Sequence, residues 1–293
     1  MYSWRDRSVD YLIYFAMASI CFIMVYPFIY VLAYSLSDSQ QAMLKTITFW
    51  PRGITLAHYK TVLMNNTVYV SFFISIARTV TGVLYQLIIV GLAAYSLSKV
   101  RLPGNKWIAL YLITPMFISG GLLPTYVLNY KLGLFNSFWI YVLPYGFFAF
   151  NMLIMRTFFS GIPEALEESA RIDGAGEYTI FSNIYIPLSM PVVATISLFV
   201  GVFQWNQWFD SMLYIFNEKL WPLQYILQKL LSETLATQIM AQEGRLNSIN
   251  NSPVSPESIK MSTLIIATLP IALVYPFLQR YFIKGVMIGA VKG

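Results

Sequence analysis

Residues Glu167 to Pro191 read EESARIDGAGEYTIFSNIYIPLSMP, a charged passage set between long, nearly uncharged apolar runs. Glu164, Glu167, Glu168, Arg171, Asp173 and Glu177 fall within a few residues of one another, with Gly174 and Gly176 among them. Pro163 suits the first turn of a helix, where its missing N–H is not needed. The glutamates crowd the N-terminal half of that helix, where the helix dipole favours negative charge. Glu167 and Arg171 are spaced for an i,i+4 pair. Gly174 and Gly176 predict that the helix stops after Asp173, because glycine readily takes the left-handed cap conformation. A second short helix, roughly Glu177–Ile184, points Ile180, Phe181 and Ile184 back toward an apolar interior. Pro187 and Pro191 then open the next apolar run. Small side chains at Ala165, Ser169 and Ala170 permit close backbone approach, so the first helix is built as a knob for another protein's groove. A mere connector with solvated charges is the plainer alternative.

Outward from this passage, the chain is oily. Of 293 residues, 57% are hydrophobic and 11% charged, with a mean hydropathy of +0.61. Soluble domains carry roughly 25% charged residues, so lipid is the expected solvent. The net charge of +6 does not point to nucleic acid, because the basic residues stand in ones and twos near the ends of apolar runs. The single cysteine, Cys21, lies in the first run, which excludes an intrachain disulfide or a cysteine zinc cluster. His58, the only histidine, is expected to be a solvated loop side chain, and no metal site is expected.

An all-α integral membrane protein follows. About 20 apolar residues cross the hydrocarbon, and six runs qualify: 11–35, 69–97, 107–128, 138–159, 187–208 and 261–283. The first is too long for the core of a signal peptide and is expected to be retained. Barrel strands are excluded, because the runs lack alternation. Arg5 and Arg7, then Lys99, Arg101 and Lys106, then Arg280, Lys284 and Lys292 lie in segments with little or no acid to balance them. The positive-inside rule puts these segments and both termini in the cytoplasm. The acidic passage falls on the same side. The loops 36–68, 120–137 and 209–260 are then external. Within the last, Leu223–Leu235 has the spacing of an amphipathic helix near the membrane surface, and EGRLNSINNSPVSPES (243–258) is turn-rich. Ser255 suits the N-cap, and Pro256 the first turn, of the sixth helix.

Polar residues inside apolar runs are costly and face a cavity or another helix. Arg78 is the sharpest case: either a counter-charge for an acidic sugar, or a buried structural pair or headgroup-reaching side chain. Gln204, Trp205, Asn206, Gln207, Trp208 and Asp210 offer the mixture of amides and aromatic rings that saccharides favour. Tyr126 and Asn151 are further pathway candidates.

The passage resembles the EAA loop of ABC-importer permeases. Glu168-Ser169-Ala170 stands for Glu-Ala-Ala, Asp173-Gly174-Ala175 for Asp-Gly-Ala, and Ile184-Tyr185-Ile186-Pro187 for the closing Ile-x-Leu-Pro. Ser169 for alanine and Ile186 for leucine are mild departures. The turn AAYSLSKVRLPG (93–104), the segment WNQWFD (205–210) and the tail QRYFIKGVMIGAVKG (279–293) are similar to carbohydrate-uptake permeases of the maltose-importer type. The stretch SGGLLPTYVLNYKLGLFNSFW (119–139) is similar to the branch serving complex plant and algal saccharides.

The resemblance implies the type I importer fold in one permease domain over 1–293, with a coupling loop at 162–187 and a cytoplasmic tail at 280–293. It implies that Glu167, Glu168, Ser169, Ala170, Asp173, Gly174 and Ala175 contact a cytoplasmic ATPase. ATP and Mg would be bound by that partner, not by this chain, which has no G-x-x-x-x-G-K-[ST] phosphate loop. A second homologous permease, two ATPase subunits and an extracytoplasmic solute-binding protein are the implied partners, in a bacterial inner membrane. Oligosaccharides are the implied substrates, acidic uronate oligomers such as alginate fragments foremost. The rival reading is a secondary transporter or channel, which would more often show charges or broken helices at midplane in paired halves. A membrane-embedded enzyme would need a cluster of His, Asp, Glu or Cys within the runs, and the sequence has none.

Overall fold

The computed structural model describes residues 4–43, 47–99, 102–242 and 255–290. Arg101, Lys292 and most of the turn-rich 243–258 segment lie outside the described residues. Among the described residues the chain is helical, without a β-strand. The single isolated bridge pairs Ser37 with Ile54. The helices used below are α1 (Trp4–Ser35), α2 (Ala57–Met64), α3 (Asn66–Ser98), α4 (Asn105–Ile113), α5 (Leu122–Lys131), α6 (Ala149–Phe159), α7 (Glu164–Ile172), α8 (Glu177–Leu188), α9 (Met190–Asn206), α10 (Phe209–Tyr214), α11 (Leu223–Gln242) and α12 (Pro256–Ala290).

Among the described residues, three helical segments are long and apolar enough to cross a membrane: Val9–Ser35, Asn66–Ser98 and Pro256–Val274. Two further pairs reach that length only when taken together across a bend: Phe138–Tyr145 with α6 at 52°, and α8 with α9 at 83°. Helices suit lipid because every backbone polar group is satisfied within the segment. Pro27 in α1 and Pro270 and Pro276 in α12 are carried inside their helices.

One of the two bends has a local cause. Pro191 has no N–H to donate to the carbonyl four residues back, at Pro187, and the chain turns at Ser189 between these two prolines. At the other bend Gly146 is required, since a Cβ there would stand 2.1 Å from Cε1 of Tyr85. The run 107–128 is not one continuous helix. It holds most of α4, a 3₁₀ turn at Thr114–Met116 opened by Pro115, and the start of α5. Gly121, at φ +80°, separates the turn from α5 in a conformation that glycine adopts readily.

Two compact units are present. In the larger (70–226 and 270–293), Val90, Ala94 and Leu97 of α3 cluster with Met152, Met155 and Phe159 of α6. Tyr95 of α3, Ala109 of α4, Ile180 and Tyr185 of α8, and Val192, Ile196 and Val200 of α9 complete this core. In the smaller (1–69 and 227–269), Ala33, Tyr34, Ala42 and Ile47 pack with Tyr30 and Met261. Ser255 caps α12 as expected: its Oγ accepts from the Ser258 N–H at 3.1 Å, and its own N–H donates to Ser39 Oγ. His58 departs from expectation. It sits on α2, not in a loop, and is buried, with Nε2 3.0 Å from the carbonyl of Ser37. The neighbouring Val62, one turn on, is the apolar residue that draws this face inward. The amphipathic helix of the long loop is also present, and Leu223, Ile226 and Leu227 bury its apolar face in protein.

Candidate functional site: two polar networks

The first network surrounds Arg78. On α3 this side chain is fully buried. Its Nη2 meets Oδ2 of Asp210 at 2.7 Å, where both side chains are wholly shielded from solvent. Nη1 donates to the Gln207 carbonyl at 2.9 Å, while Nε and Nη2 both reach Oε1 of Gln204 at 3.3 and 3.1 Å. The guanidinium carbon lies 4.2 Å from the centre of the Tyr141 ring. Gln204 also donates through Nε2 to the Tyr141 carbonyl, and Ser211 supplies its backbone N–H to Asp210. Burying a charge is tolerable when its partner and its remaining hydrogen bonds are all supplied. Of the two readings of Arg78, the geometry is that of the buried structural pair. The guanidinium is turned to its own chain on all three nitrogens.

The other pathway candidates do not touch the guanidinium. Asn151, buried on α6, donates to Gln86 Oε1 at 2.9 Å, and Gln86 donates to the Tyr145 carbonyl. Asn151 also lines an open cavity of about 300 Å³ with Phe148, Phe150, Phe199, Val200 and Phe203. Trp205 is buried with its ring edge-on to Phe72. Asn206 bonds back to the Val202 carbonyl of its own helix. Trp208 stacks edge-on with Phe209, and Tyr126 packs against Phe135 and Tyr214. So Arg78, Gln204, Gln207 and Asp210 come together, Asn151 reaches them only through Gln86 and Tyr145, whose Oη accepts from Gln207 Nε2 at 3.4 Å, and Tyr126 and Asn206 do not join them. Sequence reasoning missed Tyr141, Gln86 and Ser211. A polar side chain in an apolar run was the available signal for Gln86.

The second network is built on the charged passage. α7 runs from Glu164 to Ile172, with Pro163 immediately before it and not in its first turn. It ends in a complete left-handed cap. Gly174, at φ +85°, donates to the Arg171 carbonyl, and Ala175 donates to the Ala170 carbonyl at 2.9 Å. Glu167 accepts from Lys99 Nζ, from Tyr185 Oη at 2.9 Å and from Arg171 at 3.0 Å. Arg171 also reaches Glu177, and Tyr95 Oη donates to Glu177 at 2.6 Å. Partial burial alone would raise the Glu167 carboxyl's pKa, but the Lys99, Arg171 and Tyr185 hydrogen bonds outweigh it and hold the group below the ordinary range. Glu168, Ser169, Asp173 and Gly174 are exposed, as are Leu166, Ile172 and Tyr178. Ala170 and Ala175 are half-buried against the apolar core. The seven residues expected to contact an ATPase are thus divided between an outer face and an inner one.

Apolar helices of membrane-crossing length, one pair of them bent at proline, describe a membrane protein. The chain belongs to the family described as binding-protein-dependent transport system inner membrane component, whose pattern matches residues 1–288. It is 36% identical over 290 residues to the polygalacturonan/rhamnogalacturonan transport system permease protein YtcP of Bacillus subtilis, covering 99% of this chain and 100% of that one. It is 38% identical over 271 residues to protein LplC of the same organism, covering 92% and 90%. The crystal structure of a bacterial ABC transporter involved in import of the acidic polysaccharide alginate contains a chain that superposes with a TM-score of 0.87. Identity to that chain is 28%, with 96% of this chain and 99% of that one covered. Family membership decides against a secondary transporter or channel and for a binding-protein-dependent importer.

Proposed function

We propose that this chain is one of two membrane subunits of an ATP-driven importer of acidic, uronate-type oligosaccharides. The observation that carries the substrate class is near-complete coverage of YtcP at 36% identity, together with the likeness to an alginate importer. Alginate and polygalacturonan are both polymers of uronic acids. Residues 1–293 are read as one permease domain of the type I importer fold with six spans, the third formed by the broken run through α4 and α5. Both termini and α7 lie in the cytoplasm, since Lys99, Arg101 and Lys106 flank the same side. The membrane is the inner membrane of a bacterium.

α7 is the coupling helix. Glu168, Ser169, Asp173 and Gly174 contact a cytoplasmic ATPase that holds ATP and Mg and carries the hydrolysis. ATP binds the outward-facing state better than the inward-facing one, and that difference in affinity is what shifts the equilibrium. A second permease, two ATPase subunits and a solute-binding protein meeting the loops 36–68, 120–137 and 209–260 complete the assembly. Along the pathway, the aromatic cavity beside Asn151 offers ring faces for sugar C–H groups and an amide for hydroxyls. Tyr126 and the 204–210 segment are the remaining candidates, with Arg78 and Asp210 holding the segment in shape.

Uptake into proteoliposomes carrying the full importer and its binding protein tests the substrate class. Oligogalacturonate or oligomannuronate should be taken up at least tenfold faster than maltotriose, a difference of about 1.4 kcal/mol. Equal or preferred uptake of the neutral sugar would refute the uronate assignment.

A further inference from the structure

Two adjacent glutamates on α7 face different ways. Glu168 is exposed, whereas the Glu167 side chain keeps only 14% of its surface and turns toward the end of α3. There Lys99, the residue after α3, lies 4.1 Å from the centre of the Tyr95 ring and 4.4 Å from that of Tyr185, and contacts both Glu167 and Tyr185 Oη. Arg171 joins Glu167 to Glu177, and Tyr95 ties Glu177 back to α3. Two cations, two carboxylates and two tyrosines therefore close one network across α3, α7 and α8. An isolated surface ion pair holds little. A half-shielded, ring-flanked network of this kind holds more, because its members restrain one another.

We infer that Glu167 is a positioning residue and not an ATPase contact: with Lys99 it latches α7 to the end of α3, so that the two move as one body. The inference rests on the coupling role proposed for α7 and names the intrachain link that role requires. Coupling between sites travels through rigid elements and hydrogen-bonded networks. A knob pushed by a partner transmits nothing if it pivots on its own loop. Gly174 and Gly176 would permit such a pivot, and the latch opposes it.

The test uses the whole importer, with Cys21→Ser and spin labels at Ser96→Cys on α3 and Glu164→Cys on α7, outside the proposed ATPase contact. Electron-electron distance measurements should give a narrow distribution that is the same with and without ATP. Glu167→Gln or Lys99→Met should broaden it about twofold, while the amount of ATPase recovered with the permease stays unchanged. The exchange Lys99→Glu with Glu167→Lys should narrow it again, which a residue needed only for folding would not do. A narrow distribution in both single variants, or ATPase loss in Glu167→Gln matching that in Glu168→Gln, overturns the latch. If Glu168→Gln and Gly174→Val both retain the ATPase and full coupling, the coupling role of α7 falls. The label distances still decide the latch by themselves.

Discussion

Arg78 and Asp210, 132 positions apart in the chain, meet at 2.7 Å with neither side chain touching solvent. The pair joins α3 to the start of α10, and Gln204 and Tyr141 close around it. Breaking a buried pair by removing one partner costs about 3–5 kcal/mol, since the other charge is left uncompensated. Arg78→Gln and Asp210→Asn should each lower the melting temperature of the detergent-solubilised importer. The double variant Arg78→Met/Asp210→Leu should recover part of the loss. Uptake of acidic and neutral oligosaccharides should fall together in Arg78→Gln. Selective loss of the acidic one would instead put the guanidinium in contact with substrate.

Gly82 makes this network possible. A Cβ at that position would stand 2.6 Å from Nε2 of Gln204 and 2.8 Å from its amide carbon. Gly82→Val should therefore displace Gln204 and destabilise the protein by about 1–3 kcal/mol, the usual cost of overpacking. Thermal melting of the assembled complex measures it. An unchanged melting point would show that Gln204 has room to move.

The cap of α7 makes a different prediction. A Cβ at Gly174 would meet nothing within 4 Å, so only its φ of +85° constrains the residue. Gly174→Val should cost about 1 kcal/mol or more of local strain and lower the sugar transported per ATP hydrolysed. Gly174→Asn, which tolerates the left-handed region, should keep most of it. Equal damage from the two would mean that side-chain size at the proposed ATPase contact matters, not backbone conformation.

Much of this corner was legible in the sequence. A glycine after an acidic, helix-favouring stretch predicts a left-handed cap, and the cap is there at Gly174. Ser255 before Pro256 predicts an N-cap, and its Oγ makes it. Local signals of this kind need only neighbouring residues. The partner of Arg78 was beyond reach, because no pattern within a helix points 132 positions ahead. Polarity alone places His58 in solvent, whereas the buried face it shares with Val62 draws it inward. The break in 107–128 was signalled by Pro115 and by Gly120-Gly121, which apolar run length alone overlooks. Glu167 and Glu168 were grouped as one contact, although neighbours on a helix point about 100° apart.

The latch proposed for Glu167 implies a pH dependence of definite sign. The Glu167 carboxyl titrates below its ordinary value of 4.5. A depressed carboxylate pKa contributes stability that is fully present above that ordinary value and is lost as pH falls through the depressed one. Amide exchange over 164–172, corrected for intrinsic rates, should thus be flat from pH 7 to about 5 and rise only in stronger acid. Glu177, held below its ordinary value by Tyr95 and Arg171, titrates in the same network, so Glu167→Gln should show raised exchange throughout with a smaller acid limb, and Glu167→Gln/Glu177→Gln should show none. An undiminished acid limb in Glu167→Gln would assign the titration to Glu177 or another group.

As proposed, this chain moves sugar only when a separate ATPase drives it. Proteoliposomes holding the permease pair, with and without the ATPase subunits, decide it when loaded with ATP and given binding protein and labelled oligogalacturonate. Accumulation that requires ATPase, ATP and binding protein together, and that is lost when the ATPase cannot hydrolyse ATP, is the result expected. Accumulation by the permease pair alone, or substrate-stimulated ATP hydrolysis by this purified chain, would overturn that dependence.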